Sequence, residues 1–172
     1  MCSPRACVAV PLTAAGFAVF GDVVEIPPTG GRTINDGTAL RFDDVARLVL
    51  NADGGRPLAS LFRVAPAAMP MMCRALERHP RSSQLFVPLD GRRFLVVVAP
   101  GDAAPDPANL RAFIADGRQG VNYAPGTWHH PAIALDSPTD FFVLGHAAEA
   151  ADYEAAVLAA PVTVALAPEA GR

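Results

Sequence analysis

Glu77-x-His79-x4-Gln84-x6-Gly91, followed later by Gly126-x2-His129, sets a concentrated group of polar residues inside runs of apolar ones. Read as a strand, Met72–His79 alternates its side chains, so Glu77 and His79 share one face and Arg78 turns to the other. A turn over Pro80–Ser83 brings Gln84 back beside that face. In the second segment the same alternation sends His129 and His130 to opposite sides, and the Gly126-x2-His129 register points His129 inward. A carboxylate and two imidazoles converging in an apolar interior suit a divalent metal or acid–base catalysis. A single histidine on such a strand is more often a core residue holding backbone groups. The matched placing of Glu77, His79 and His129 is what singles the cluster out.

Outward from these segments the chain is a series of short apolar runs punctuated by 17 prolines and 14 glycines. Strands are expected at Asp22–Ile26, Leu58–Val64, Met72–His79, Gln84–Pro88, Phe94–Val98, Val121–Tyr123, Thr127–Ala134, Phe141–Leu144 and Val162–Leu166. Many short strands with regular turn signals indicate an all-β barrel or sandwich. Asp90-Gly91 is a favoured hairpin pair, so Gln84–Pro88 and Phe94–Val98 are expected to pair antiparallel. Helices are few and short. Thr13–Phe20 has a capping Thr13 and a stop at Gly21, and Asp43–Leu50 is a second candidate. Glu149–Ala159 is alanine-rich and reads as helix or local strand, and Asn109–Ile114 as a turn or one-turn helix. No linker divides the 172 residues, which read as a single domain, with 1–9 and 168–172 as candidate disordered tails.

Composition narrows the function classes. The chain is 51% hydrophobic and 18% charged, which describes a packed globular protein rather than a disordered one. A net charge of −3, with basic residues scattered, gives no footprint for nucleic acid or an anionic membrane. No run approaches the roughly 20 apolar residues of a membrane span, and no signal peptide is evident. Cys2, Cys7 and Cys73 form no disulfide framework, so a reducing, cytoplasmic setting is expected. Cys73 reads as a buried, inert thiol. Arg63, at a strand end, is a candidate for binding a substrate carboxylate bidentately or for a solvated strand-end charge. Asn122 is a candidate ligand donor or a bend-satisfying amide. Trp128, His130 and the apolar strands leave surface for a symmetric partner.

The spacing also resembles the paired motifs of a cupin barrel, with Glu77 and Gln84 standing where that pattern has His and Glu. Four stretches together resemble the ureidoglycolate lyase family, which has the cupin fold. They are Ile34-Asn35-x-Gly37, Glu77-Arg78-His79-Pro80-x3-Gln84-x-Phe86-x-Pro88, Leu110-Arg111-Ala112-Phe113-Ile114 and Gly120-Val121-Asn122-Tyr123-x4-Trp128-His129-His130-Pro131. Thr139-Asp140-Phe141 extends the match, which spans about residues 10–166. The resemblance implies an all-β, cupin-like single-domain barrel acting as a homodimer. It implies cleavage of ureidoglycolate to glyoxylate and urea, and a divalent metal, nickel, as cofactor. On that reading Glu77, His79 and His129 are catalytic and Arg63, Gln84 and Asn122 bind substrate. Any metal falls to Glu77, His79, Gln84 and His129. Gly145-His146 and Tyr153 depart from the family pattern. The competing expectations are a non-catalytic cupin that binds a small carboxylate, a diverged relative acting on another small substrate, and a metal-dependent oxygenase.

Overall fold

The computed structural model describes residues 5–101 and 104–168. Fourteen strands and one short helix follow one another along them. They are β1 (Arg5–Pro11), α1 (Ala14–Phe17), β2 (Gly21–Val24), β3 (Arg32–Ile34), β4 (Ala39–Arg41), β5 (Arg56–Val64), β6 (Met71–Arg78), β7 (Gln84–Pro88), β8 (Phe94–Ala99), β9 (Arg111–Ala115), β10 (Gly120–Tyr123), β11 (Trp128–His129), β12 (Ile133–Ala134), β13 (Thr139–Ala147) and β14 (Glu154–Leu166). The first large sheet runs β11-β6-β14-β1-β9-β8-β12, and a further pairing of β11 with β8 closes six of its strands into a ring. The second runs β2-β10-β7-β13-β5, and β3–β4 is a separate hairpin. This is the cupin-like β-barrel expected. Among the described residues no helix is long and apolar enough to cross a membrane.

Strand β8 shows why the sheets lie as they do. Leu95, Val97 and Ala99 enter one apolar core and Phe94, Val96 and Val98 the other. Period-2 alternation with both faces apolar makes a central, doubly buried strand, and β8 pairs with β9, β11 and β12. The expected hairpin between Gln84–Pro88 and Phe94–Val98 does not form. β7 pairs with β10 and β13 in the second sheet, and residues 89–93 carry the chain across to β8. A five-residue connection lacks the tight two-residue geometry that makes Asp-Gly a hairpin turn.

Other boundaries differ for equally local reasons. Thr13 caps α1 as expected, its Oγ accepting from the Gly16 N–H at 3.1 Å. Asp43–Leu50 is not helical. The alanine-rich stretch belongs to β14, whose register slips between Val157 and Val162 around Pro161, a residue that strands tolerate at bulges. Arg5–Pro11 forms β1, so the described part of the candidate N-terminal tail is instead a strand, parallel to both β14 and β9. Residues 1–4 and 169–172 of those tails lie outside the described residues. Pro131 splits the expected Thr127–Ala134 strand into β11 and β12.

Candidate active site

Glu77 and His79 lie at the C-terminal end of β6, and β11 brings His129 opposite Glu77 in antiparallel register. What places β11 there is the turn before it. Thr127 N–H donates to Ala124 O at 3.1 Å, with Pro125 and Gly126 between them. Gly126 has φ +79, the left-handed value that the third residue of a type II turn requires. Its N–H donates to His79 O at 2.8 Å, tying the turn to the end of β6. The two imidazole rings then sit 5.6 Å apart, centroid to centroid. Gln84, at the start of β7, pairs in register with Tyr123, whose ring stacks on His129 at 4.2 Å and 8°.

The hydrogen bonds assign the tautomers. A carbonyl oxygen only accepts, so His79 Nδ1 carries the proton it shares with Asp152 O at 2.6 Å, and Nε2 keeps its lone pair. His129 Nδ1 likewise donates to Thr127 O at 2.9 Å. His129 Nε2 lies 3.7 Å from Glu77 Oε1. His79 Nε2, Gln84 Oε1 and His129 Nε2 are all buried without a partner. His129 is only 2% exposed, and that burial lowers its pKa to about 4. It is therefore neutral at pH 7. The Glu77 charge, together with burial and a hydrogen bond to Glu77, raises the pKa of Tyr153, whose ring lies 6.2 Å from that of His79. Tyr153 thus joins the site, a role that the strand pattern around it does not reveal.

Beside His79 opens a cavity of about 200 Å³, smaller than the roughly 300–1,000 Å³ of sites for drug-sized ligands. Its walls include Leu58, Ser60 and Phe62 of β5, Val143 and Gly145 of β13, and Gln84 and His146. His146 Nε2 donates to Ala52 O at 2.9 Å, and its Nδ1 faces Asp152 Oδ2 at 3.7 Å. Gly55 admits this ring, since a Cβ there would lie 1.8 Å from His146 Nε2. Burial disfavours ionisation of Asp152, but bonds from Ser82 and Arg81 outweigh it and hold the carboxyl below its ordinary pKa. The Asp152 loop therefore buttresses both histidines.

Two expected site residues lie elsewhere. Arg63 is on the surface, in a bidentate pair with Asp140 at 2.8 Å. Asn122 is buried, but its amide nitrogen donates to Asp22 Oδ2 at 3.0 Å and Arg47 O at 3.1 Å. It anchors the 44–49 segment rather than facing the cavity. His130 turns away, its Nδ1 on Pro131 O. Trp128 is buried beneath the Arg78 guanidinium, which stacks 4.5 Å from its ring, so it offers no surface to a partner. Cys73 is inert as expected, with burial pushing its thiol to about 11.

The donor set bears on an ion. Glu77, His79, Gln84 and His129 present acceptor atoms, and the complement of acceptors alone is a cation or a donor-rich ligand. Among the described residues, however, no three His, Cys, Asp or Glu side chains already surround a common point as a finished ion site. The donor types, two imidazoles, a carboxylate and an amide oxygen, are ones that a divalent ion accepts.

Two sheets whose shared apolar core turns polar where β6, β7 and β11 meet define a cupin-like fold with a polar site at one end. The family model described as Ureidoglycolate lyase matches residues 4–165. A ureidoglycolate lyase of Burkholderia mallei (strain NCTC 10229) is 52% identical over 135 residues, 78% of this chain and 78% of that protein. Those of Burkholderia cepacia (50%; 77% of this chain, 75% of that protein) and Brucella melitensis biotype 2 (48%; 80% of each) are similar. The Mycobacterium tuberculosis rmlC epimerase superposes with a TM-score of 0.42 at 13% identity, covering 73% of this chain and 64% of that one. The chain belongs to the ureidoglycolate lyase family.

Proposed function

We propose that the chain cleaves the carbon–nitrogen bond of ureidoglycolate, releasing glyoxylate and urea, and that it works in the cytoplasm as a homodimer. The observation that carries the chemistry is the His79 Nε2 lone pair, buried and unpartnered, with the ring fixed by Asp152 O. Ureidoglycolate bears a hydroxyl and the ureido nitrogen on one carbon. His79 Nε2 takes the hydroxyl proton as the carbonyl forms and the C–N bond breaks. The departing nitrogen then receives that proton, so the sum is glyoxylate and urea with no co-reactant. The Glu77 carboxylate, paired in register with His129, is placed to offset charge that develops while the proton is in transit. Neutral His129, stacked on Tyr123, holds the opposite wall.

Among the described residues no Arg or Lys side chain lines the cavity beside His79, although the substrate carries a carboxylate. Alternatively, Glu77, His79, Gln84 and His129 would hold a divalent ion, nickel being the one the family resemblance implies; His79 Nε2, its other ring nitrogen being committed to Asp152 O, would then be a ligand and not the base. Bound there, the ion would receive the carboxylate and acidify the hydroxyl. Racemic ureidoglycolate supplied to the purified protein should yield glyoxylate and urea in equal amounts, without oxygen uptake. Binding without turnover would replace the lyase by a carboxylate-binding cupin, and oxygen consumption by an oxygenase. The homodimer is tested by mass at micromolar concentration.

A further inference from the structure

Gly145 leaves open space in one wall of the cavity beside His79. Register sets Ser60 opposite Val143 and Leu58 opposite Gly145, so the inner face of the β5–β13 pair forms one wall. Glycine is disfavoured inside a strand unless a bulge, a bend or a close approach calls for it. Gly145 is not among the residues with positive φ, and a Cβ built on it meets no atom within 4 Å. Neither backbone conformation nor crowding demands glycine here. Its remaining effect is to leave volume in a wall where Leu58, Phe62 and Val143 are apolar and Ser60 and His146 are polar.

The polar end states which part of the substrate enters. With His79 Nε2 taking the hydroxyl proton, Gln84 Oε1 is the buried, unpartnered acceptor left beside it. It wants a donor. A carboxylate has none, whereas a ureido group has N–H bonds. On the lyase reading above, the ureido end points into this cavity and its terminal nitrogen faces the β5–β13 wall.

We propose that the chain also cleaves ureidoglycolates alkylated on the terminal nitrogen, with Gly145 as the residue that admits the alkyl group. The C–N bond to the hydroxyl-bearing carbon breaks, the hydroxyl proton moves to the departing nitrogen, and the products are glyoxylate and an N-alkylurea. The test compares ureidoglycolate with its terminal N-methyl analogue. Wild type should release glyoxylate and N-methylurea, with kcat/KM within about tenfold of the parent value. Gly145→Leu should lower kcat/KM for the methyl analogue at least about tenfold more than for the parent. If Gly145→Leu does not fold by circular dichroism, Gly145→Val, whose branched side chain suits a strand, supplies the same comparison. Wild-type turnover of the parent with the methyl compound inert overturns this inference alone. Equal losses on both substrates in the variant also overturn it. No turnover of the parent overturns the lyase reading itself.

Discussion

The proposed chemistry turns on single atoms of Glu77, His79 and His129. Glu77→Gln keeps the shape and removes the charge, so kcat should fall at least about tenfold, or about 1.4 kcal/mol. Full activity of that variant in the presence of a chelator would exclude Glu77 both as charge stabiliser and as metal ligand. His129→Ala should impair turnover more than His130→Ala, because only His129 faces the site. An equal or reversed ranking would place the strand one residue out of register. His129 also predicts a pH dependence of stability. Its folded pKa of about 4 lies below the 6.5 of a free imidazole. Between those values the unfolded chain binds more protons, so stability is complete above pH 6.5 and falls as pH drops toward 4. The full span is about 3 kcal/mol. Denaturant titration of chelator-treated protein at several pH values should show this loss, and His129→Phe should not.

At the scale of elements, Asn122 and Arg63 separate what spacing reveals from what it hides. Asn122 sits in a distinctive run beside Tyr123, but its amide is taken up by Asp22 and Arg47, which are remote in sequence. Asn122→Ala should therefore lower stability by about 1–3 kcal/mol and leave KM within about twofold. A large rise in KM at unchanged stability would return it to the binding site. Glu77, His79 and His129 were legible because strand alternation is local and the Pro-Gly turn announces itself. The chain's passage from β7 to β8 was not, since an Asp-Gly pair looks alike whether it closes a hairpin or spans two sheets. β1 was hidden because its partners, β14 and β9, lie at the far end of the chain. Gly145, His146 and Tyr153 stood out in sequence only as departures, and their roles come from neighbours that the fold supplies, such as Gly55 and Glu77.

For the whole molecule, the edge strand β5 is one surface that exposes apolar side chains. Leu58, Leu61 and Phe62 are exposed along it, and two of them also line the cavity. If β5 forms the homodimer face, Leu61→Arg should yield a monomer by mass; an unchanged dimer would move the interface elsewhere. The ring itself closes through β11, two residues that bond to β6 on one side and β8 on the other. One of those residues is His129 and the other is Trp128, the sole tryptophan of the chain. The last seam of the barrel therefore carries both an imidazole of the proposed site and the only indole fluorophore. During refolding, the change in tryptophan emission and the return of lyase activity should follow one rate constant, because both await the same strand.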